Sequence, residues 1–395
     1  MKKSKSRALA SILLALSMMF AACADSSDTL SNDDVSIDNI SASDVSVYDT
    51  TASNNLNDDI SENYEAEDDI LETIVSDMEN DSQDLNSDTE SPFSKHGRLS
   101  VDGTDLVDKN GEKYQLYGMS THGLAWYPQY VNQDAFDTLL NQWNTNCIRL
   151  AMYTYESGGY CSDGDKEALK SLIKSGVEYA DNLGMYVIID WHVLNDQNPN
   201  VYKDEAIKFF DEMTDLYKDH DNIIYEICNE PNTSADWSDI KSYAEEVIPV
   251  IRENDSDAVI IVGTPTWSQD IDQALADPLD FDNVMYALHF YADTHKDWLR
   301  ERVENCIIMG LPVFISEFNI CDASGRGNVN VDEGNKWYNL IDKYNLSYMC
   351  WSLANNPDSC CVFSVDNPKL SGWTEDDLSL TGKWLIEKFK SEGAN

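Results

Sequence analysis

Two hydrophobic rhythms alternate along most of this chain. Short continuous apolar runs suit strands buried on both faces. Longer stretches with apolar residues every three or four positions suit helices with one buried face. The runs predict strands at 114–119, 146–152, 185–191, 223–228, 258–262, 284–289, 313–316 and 347–351. The periodic stretches predict helices at 133–143, 166–183, 204–217, 238–252, 271–276, 296–309, 332–344 and 378–390. Ahead of them, 99–101 and 105–108, with Asp102-Gly103 and Asn110-Gly111 at the turns, predict small hairpins. Eight strand–helix units of this length fit an α/β fold of the (β/α)8 TIM-barrel kind better than an open doubly wound sheet.

The N-terminal quarter keeps neither rhythm. Residues 1–23 hold four basic residues and no acids, with an apolar run from Ala8 to Ala22. That is a targeting segment, too short for a membrane span. It ends in Phe20-Ala21-Ala22-Cys23, which resembles the lipobox of bacterial lipoproteins, where the cysteine is acylated; Phe20 departs from the usual Leu. A plain secretory signal is the alternative, and either carries the protein out of the cytoplasm. Residues 24–91 hold 21 acids and no Lys or Arg, the composition of a disordered, self-repelling linker. A transient helical turn near 70–75 is the most order expected there. The domains are therefore a signal segment at 1–22, a linker at 23–94 and one barrel domain at 95–395. Net charge is −45, which would repel phosphate backbones and excludes nucleic-acid binding, but leaves a neutral ligand unaffected. Of the eight cysteines after Cys23, Cys147, Cys228 and Cys350 lie in strand-like runs and read as small buried hydrophobes. Export would permit disulfides, but no pairing can be assigned.

In a barrel of this kind the functional groups gather where the strands end. His122 and Trp126 follow the first predicted strand, and Arg149 lies on the second with Tyr153 just beyond. Trp191-His192 ends the third, Asn229-Glu230 follows the fourth, and Thr266-Trp267 follows the fifth. His289 and Tyr291 belong to the sixth, Glu317 to the seventh and Trp351 to the eighth. A buried strand has no reason of its own to finish in a carboxylate. Two that do, ending in Glu230 and Glu317, suit the acid and nucleophile of glycoside hydrolysis. Signatures of zincins, P-loops and nucleophile elbows are absent, and Gly325-Arg326-Gly327 reads as a loop rather than a phosphate cradle.

Five stretches, Gly118-Met119-Ser120-Thr121-His122-Gly123-Leu124, Ile189-Asp190-Trp191-His192, Glu226-Ile227-Cys228-Asn229-Glu230-Pro231, His289-Phe290-Tyr291 and Ile315-Ser316-Glu317-Phe318, resemble glycoside hydrolase family 5. The resemblance is to its bacterial endo-β-1,4-glucanase subgroup and spans about 96–393. It implies a retaining, cofactor-free enzyme acting on β-glucan; separately from the resemblance, no metal site and a monomer are expected. A mixed-linkage glucanase, a cellodextrinase and a β-mannanase are the alternatives, and a non-catalytic glycan binder is the rival from another class. By the resemblance Glu230 is the acid/base, Glu317 the nucleophile, and Arg149 and Tyr291 contact the nucleophile. Asn229 meets the sugar 2-hydroxyl, His122, Tyr153, His192 and His289 line the site, and Trp126, Trp267 and Trp351 are stacking platforms. Relatives often carry Lys five residues after the last strand's tryptophan and Glu seven after it. Here Asn356 and Asp358 stand there, so weaker binding on the non-reducing side is expected. The chain ends just after its last predicted helix, which favours soluble or amorphous chains over crystalline ones.

Overall fold

A computed structural model describes residues 90–392. The predicted signal segment, Cys23, the turn at 70–75 and all but the end of the predicted linker lie outside those residues. Eight parallel strands close into a barrel: β3 (Tyr117–Thr121), β4 (Cys147–Tyr153), β5 (Tyr186–His192), β6 (Ile223–Glu226), β7 (Val259–Val262), β8 (Val284–Tyr291), β9 (Val313–Asn319) and β10 (Tyr348–Leu353). β10 pairs back onto β3 and completes the ring. Ahead of them β1 (Ser100–Asp102) and β2 (Asp105–Val107) form the predicted hairpin.

Strand parity sorts the side chains. Cys147, Tyr186, Ile188, Ile224, Val259, Ile261, Met285, Phe314 and Met349 pack together inside the barrel. Leu99 and Leu106, from beside and within the hairpin, join that cluster and close the end where the strands begin. Alternate residues such as Ile148, Val187, Ile189, Tyr225 and Ile315 face outward and pack with helix residues such as Ile173, Val177, Phe209, Phe210 and Ile248. The helices obey the period read from sequence. Lys166–Leu183 and Ile271–Ala276 match it to the residue, and the first of these starts at an Asp165 cap and stops at left-handed Gly184.

The differences are local. Strands β8 and β9 run further than predicted, because pairing continues through His289↔Glu317 and Tyr291↔Asn319. β6 stops at Glu226, short of the predicted end. The short helix Pro92–His96, capped by Ser91 and halted at Gly97, was not anticipated. The eight cysteines among the described residues are free thiols, and Cys147, Cys228 and Cys350 are buried as expected.

Candidate active site

Parity also decides what reaches the mouth of the barrel. On β4, Cys147 faces inward, so Arg149, Ala151 and Tyr153 do too. On β5, Ile188 does, so Asp190 and His192 follow and Trp191 is turned outward. Trp191 is fully buried among Tyr160, Phe209 and Phe210, so its expected place at the site is corrected to the core. Between Ala287 and His289 the pairing with β9 slips: two residues on β8 oppose three on β9. This extra residue is a bulge, and it lets both Ser316 and Glu317 point toward the barrel axis.

Arg149 is the centre of the layer beneath the mouth. It donates four hydrogen bonds, Nε to Glu226 (2.7 Å), Nη1 to Ser120 (3.3 Å) and Glu317 (3.4 Å) and Nη2 to Asn229 (2.7 Å), and Nη2 is also ion-paired with Asp190 (2.9 Å). Asp190 Oδ2 also takes Nδ1–H of His192 at 2.6 Å. Burial, with Arg149 nearby, holds His192 neutral, so its Nε2 accepts from Asn229 Nδ2 at 3.2 Å. Asn229 gives its other amide hydrogen to the Val193 carbonyl. Both amide hydrogens are thus engaged, while Oδ1, which accepts only from Arg149, keeps a second lone pair to receive a sugar hydroxyl.

Above this layer opens a cleft of about 560 Å³, within the range of small-ligand sites. Glu230, Glu317, Tyr153, His192, His289, Tyr291, Trp267 and Trp351 all line it. One oxygen of Glu230, one of Glu317 and a ring nitrogen of His289 lie within 4.8 Å of one another. Tyr291 donates its hydroxyl to Glu317 Oε1 at 2.8 Å, while His289 Nδ1 is 2.9 Å from Glu230 Oε1. Burial and the facing Glu230 push Glu317 up to about 7, against the pull of His289, Arg149 and Tyr291. The three converging atoms do not suit a metal ion. Both Glu317 oxygens and both His289 nitrogens already have hydrogen-bond partners, and the Arg149 guanidinium puts positive charge beside them.

The remaining expected residues divide by distance from the cleft. Trp126 is exposed at its edge, 4.6 Å from the Tyr153 ring, and packs over Gly123, where a Cβ would lie 2.6 Å from the indole. His122 lies between Trp126 and Trp351, with burial holding it down to about 4 and its Nδ1 accepting from Gly123 N. Trp267 stands in a run of three left-handed residues, Thr266 to Ser268, which holds its ring out into the cleft. Asn356 is turned into its own loop: Nδ2 donates to Asp358, and Oδ1 accepts from Asp358 N and from the Cys361 thiol. Asp358 is paired with Arg326. Sequence reasoning gave no role to Asp190, Glu226 and Ser316, all fully buried here. The signal was present, since each is a polar residue inside an otherwise apolar strand. On the wall, Gln269, His295 and Ala323 were also missed; they come from loops with no pattern to read.

A (β/α)8 barrel that presents two facing glutamates at its mouth, braced by an arginine and a tyrosine, is the framework of a glycoside hydrolase. Residues 107–357 match the cellulase model of glycosyl hydrolase family 5, and the chain belongs to that family. It is 49% identical over 296 residues to Endoglucanase A of Butyrivibrio fibrisolvens, a match covering 74% of this chain and 68% of that protein. The endoglucanase of Clostridium saccharobutylicum is 45% identical over 300 residues, covering 76% and 66% respectively. The catalytic domain of Thermobifida fusca endoglucanase Cel5A, solved in complex with cellotetraose, superposes with a TM-score of 0.73 at 33% identity. That match covers 76% of this chain and all of the other.

Proposed function

We propose that the protein is a retaining endo-β-1,4-glucanase that cleaves cellulose-type glucans by double displacement. The observation that carries this reading is the close approach of the two carboxylates, one oxygen of each within 4.8 Å. Retaining enzymes hold their carboxyl groups about 5–5.5 Å apart, and inverting ones need about 6.5–9.5 Å to admit a water. Glu317 takes hydrogen bonds from a guanidinium and a phenol, both of which favour the ionised form that a nucleophile needs, and Glu230 is left as the acid.

Glu317 then attacks the anomeric carbon as the glycosidic bond breaks, and Glu230 protonates the departing oxygen. The glycosyl ester leaves Glu317 without charge, and Glu230, now a carboxylate, takes a proton from the water that opens the ester. Trp267, Trp351 and Trp126 offer flat apolar faces to pyranose rings, and Tyr153, His122, His192 and His289 polar edges. Endoglucanase names among the relatives, and cellotetraose in one of them, support a β-1,4-glucan over mannan. Residues 95–395 act as the catalytic domain of an exported protein, tethered by lipid on Cys23 through the acidic segment 23–94 after loss of 1–22.

Azide tests the roles. Glu317→Ala should lose turnover while staying folded, and azide should restore activity with an inverted glycosyl azide. Glu230→Ala should keep activity only on substrates with activated leaving groups, and its azide product should retain configuration. Opposite stereochemical outcomes would exchange the two roles.

A further inference from the structure

Beneath the carboxylate pair runs a chain of groups that double displacement does not itself require. His289 Nδ1 is 2.9 Å from Glu230 Oε1, its Nε2 is 2.9 Å from Ser316 Oγ, and Ser316 Oγ is 2.7 Å from Glu226 Oε1. Glu226 and Ser316 are fully buried and His289 very nearly so. The hydrogens along this chain follow by elimination. Burial pushes Glu226 up, but Arg149 and His289 outweigh it and hold it down to about 2, so it is a carboxylate. A carboxylate only accepts, so Ser316 donates its single hydroxyl hydrogen to it. Ser316 must then accept from His289, and Nε2 carries a hydrogen.

The state of Nδ1 matters more. If it were bare, the acid hydrogen of Glu230 would settle on Oε1 and point into the protein, toward the imidazole. If it carries a hydrogen, Oε1 is an acceptor, and the acid hydrogen is confined to Oε2. We infer that Glu226, acting through Ser316, is a positioning residue that keeps His289 protonated on both nitrogens and so directs the acid proton of Glu230 to its free oxygen. This role presupposes the acid/base assignment of Glu230. The other groups around the imidazole agree in sign on balance. Glu317 and Glu230 face it from β9 and from beyond β6, and Asp190 lies beneath on β5. Against them stand Arg149 on β4 and His192 on β5. Tyr291, two residues along β8, is bonded to Glu317. Burial lowers His289, but the negative charge of Glu226, 3.8 Å from Nε2, and that of Glu230 whenever it is ionised prevail and raise it to about 9.

After proton transfer the same imidazolium lies against the Glu230 carboxylate and stabilises it, and that carboxylate recovers its proton from the attacking water. No atom is gained or lost at His289, Ser316 or Glu226 in either step.

Ser316→Ala, read by pH–rate profiles on cellotetraose and on dinitrophenyl cellobioside, tests this. Without the relay His289 gives up its proton at lower pH, so the alkaline limb of kcat/KM should move acidward by about one pH unit. At neutral pH the rate on cellotetraose, which needs acid assistance, should fall ~10-fold or more, and that on the activated aryl glycoside by less than ~3-fold. Ser316→Thr, which keeps the hydroxyl, should return the limb toward its original place. A limb that stays put in folded Ser316→Ala, or an equal loss on both substrates, would overturn the relay. Should that variant not fold, nitrogen NMR of the wild-type imidazole decides: both nitrogens protonated at neutral pH supports the relay, and one bare nitrogen refutes it. Glu230→Ala separates the two levels. If it fails as an acid/base variant, the role of Glu230 is wrong; if it behaves as one while the limb stays put, only the relay is wrong.

Discussion

Arg149 decides more of this site than either glutamate, although nothing of it reaches solvent. Its guanidinium makes four hydrogen bonds and one further ion pair, and three of these five partners are carboxylates, two of which are themselves without exposure. A buried carboxylate is costly unless a cation and hydrogen bonds compensate it, and losing one partner leaves the other charge uncompensated. Lysine would preserve the charge with three hydrogens on a flexible stem, so at least one acceptor would go unmet. Arg149→Lys should therefore destabilise the domain by ~3 kcal/mol in denaturant titrations. It should also lower kcat/KM by ~100-fold, because Glu317 and Asn229 lose the fork that aligns them. Full activity in a variant of normal stability would show that charge alone suffices there. The residue was legible in the sequence as a lone arginine in an apolar strand. Its partners Asp190 and Glu226 were present in quoted motifs, but which strand faces pair across a barrel is a property of closure, and no single stretch records it.

At the scale of elements, parity and its exceptions divide the aromatic residues by job. The eight strands and eight helices could be read from period alone, since burial on two faces or one leaves a direct trace in sequence. What could not be read is where a strand breaks its own alternation. The bulge that turns Ser316 and Glu317 to the same side has no local signature, and Trp191 looks like a site residue until its neighbours Asp190 and His192 claim the inner face. Trp267 shows the opposite case. It occupies left-handed backbone (φ 56°) between Thr266 and Ser268, which are also left-handed, and its ring is 39% exposed. Such conformations cost of order 1–3 kcal/mol each for non-glycine residues, so the turn is held against its own preference to present the indole. Trp267→Gly should thus raise KM on cellodextrins several-fold while leaving the melting temperature unchanged or higher. Trp191→Ala, by contrast, should cost ~3–5 kcal/mol by emptying the core between β5 and the helix Lys203–Tyr217. If Trp267→Gly destabilises as Trp191→Ala does, its ring is packing rather than platform.

For the molecule as a whole the governing quantity is charge. The chain carries −45, and 21 of its acids fall in residues 24–91, so the remainder is itself strongly negative. Within the barrel much of this is local and balanced, as in the pairs Lys170–Glu212, Lys203–Glu246 and Lys343–Glu304. The surplus is not, and it acts over a Debye length, about 30 Å at 10 mM salt and about 8 Å at physiological strength. A neutral glucan approaching the cleft is indifferent to that field, but a polyanionic one is repelled before any subsite contact forms. KM on carboxymethyl cellulose should therefore fall several-fold as salt rises across that range, with kcat little changed. KM on mixed-linkage β-glucan or cellotetraose should stay level over the same range. A chain lacking residues 24–89 should show a smaller salt effect on the charged polymer and none on the neutral one, because the acids removed lie outside the cleft-bearing domain. Equal salt responses on charged and uncharged glucans would instead place the effect inside the site, on the ion pairs around Arg149. Their burial argues against that, since pairs without solvent exposure are screened far less than those at the surface.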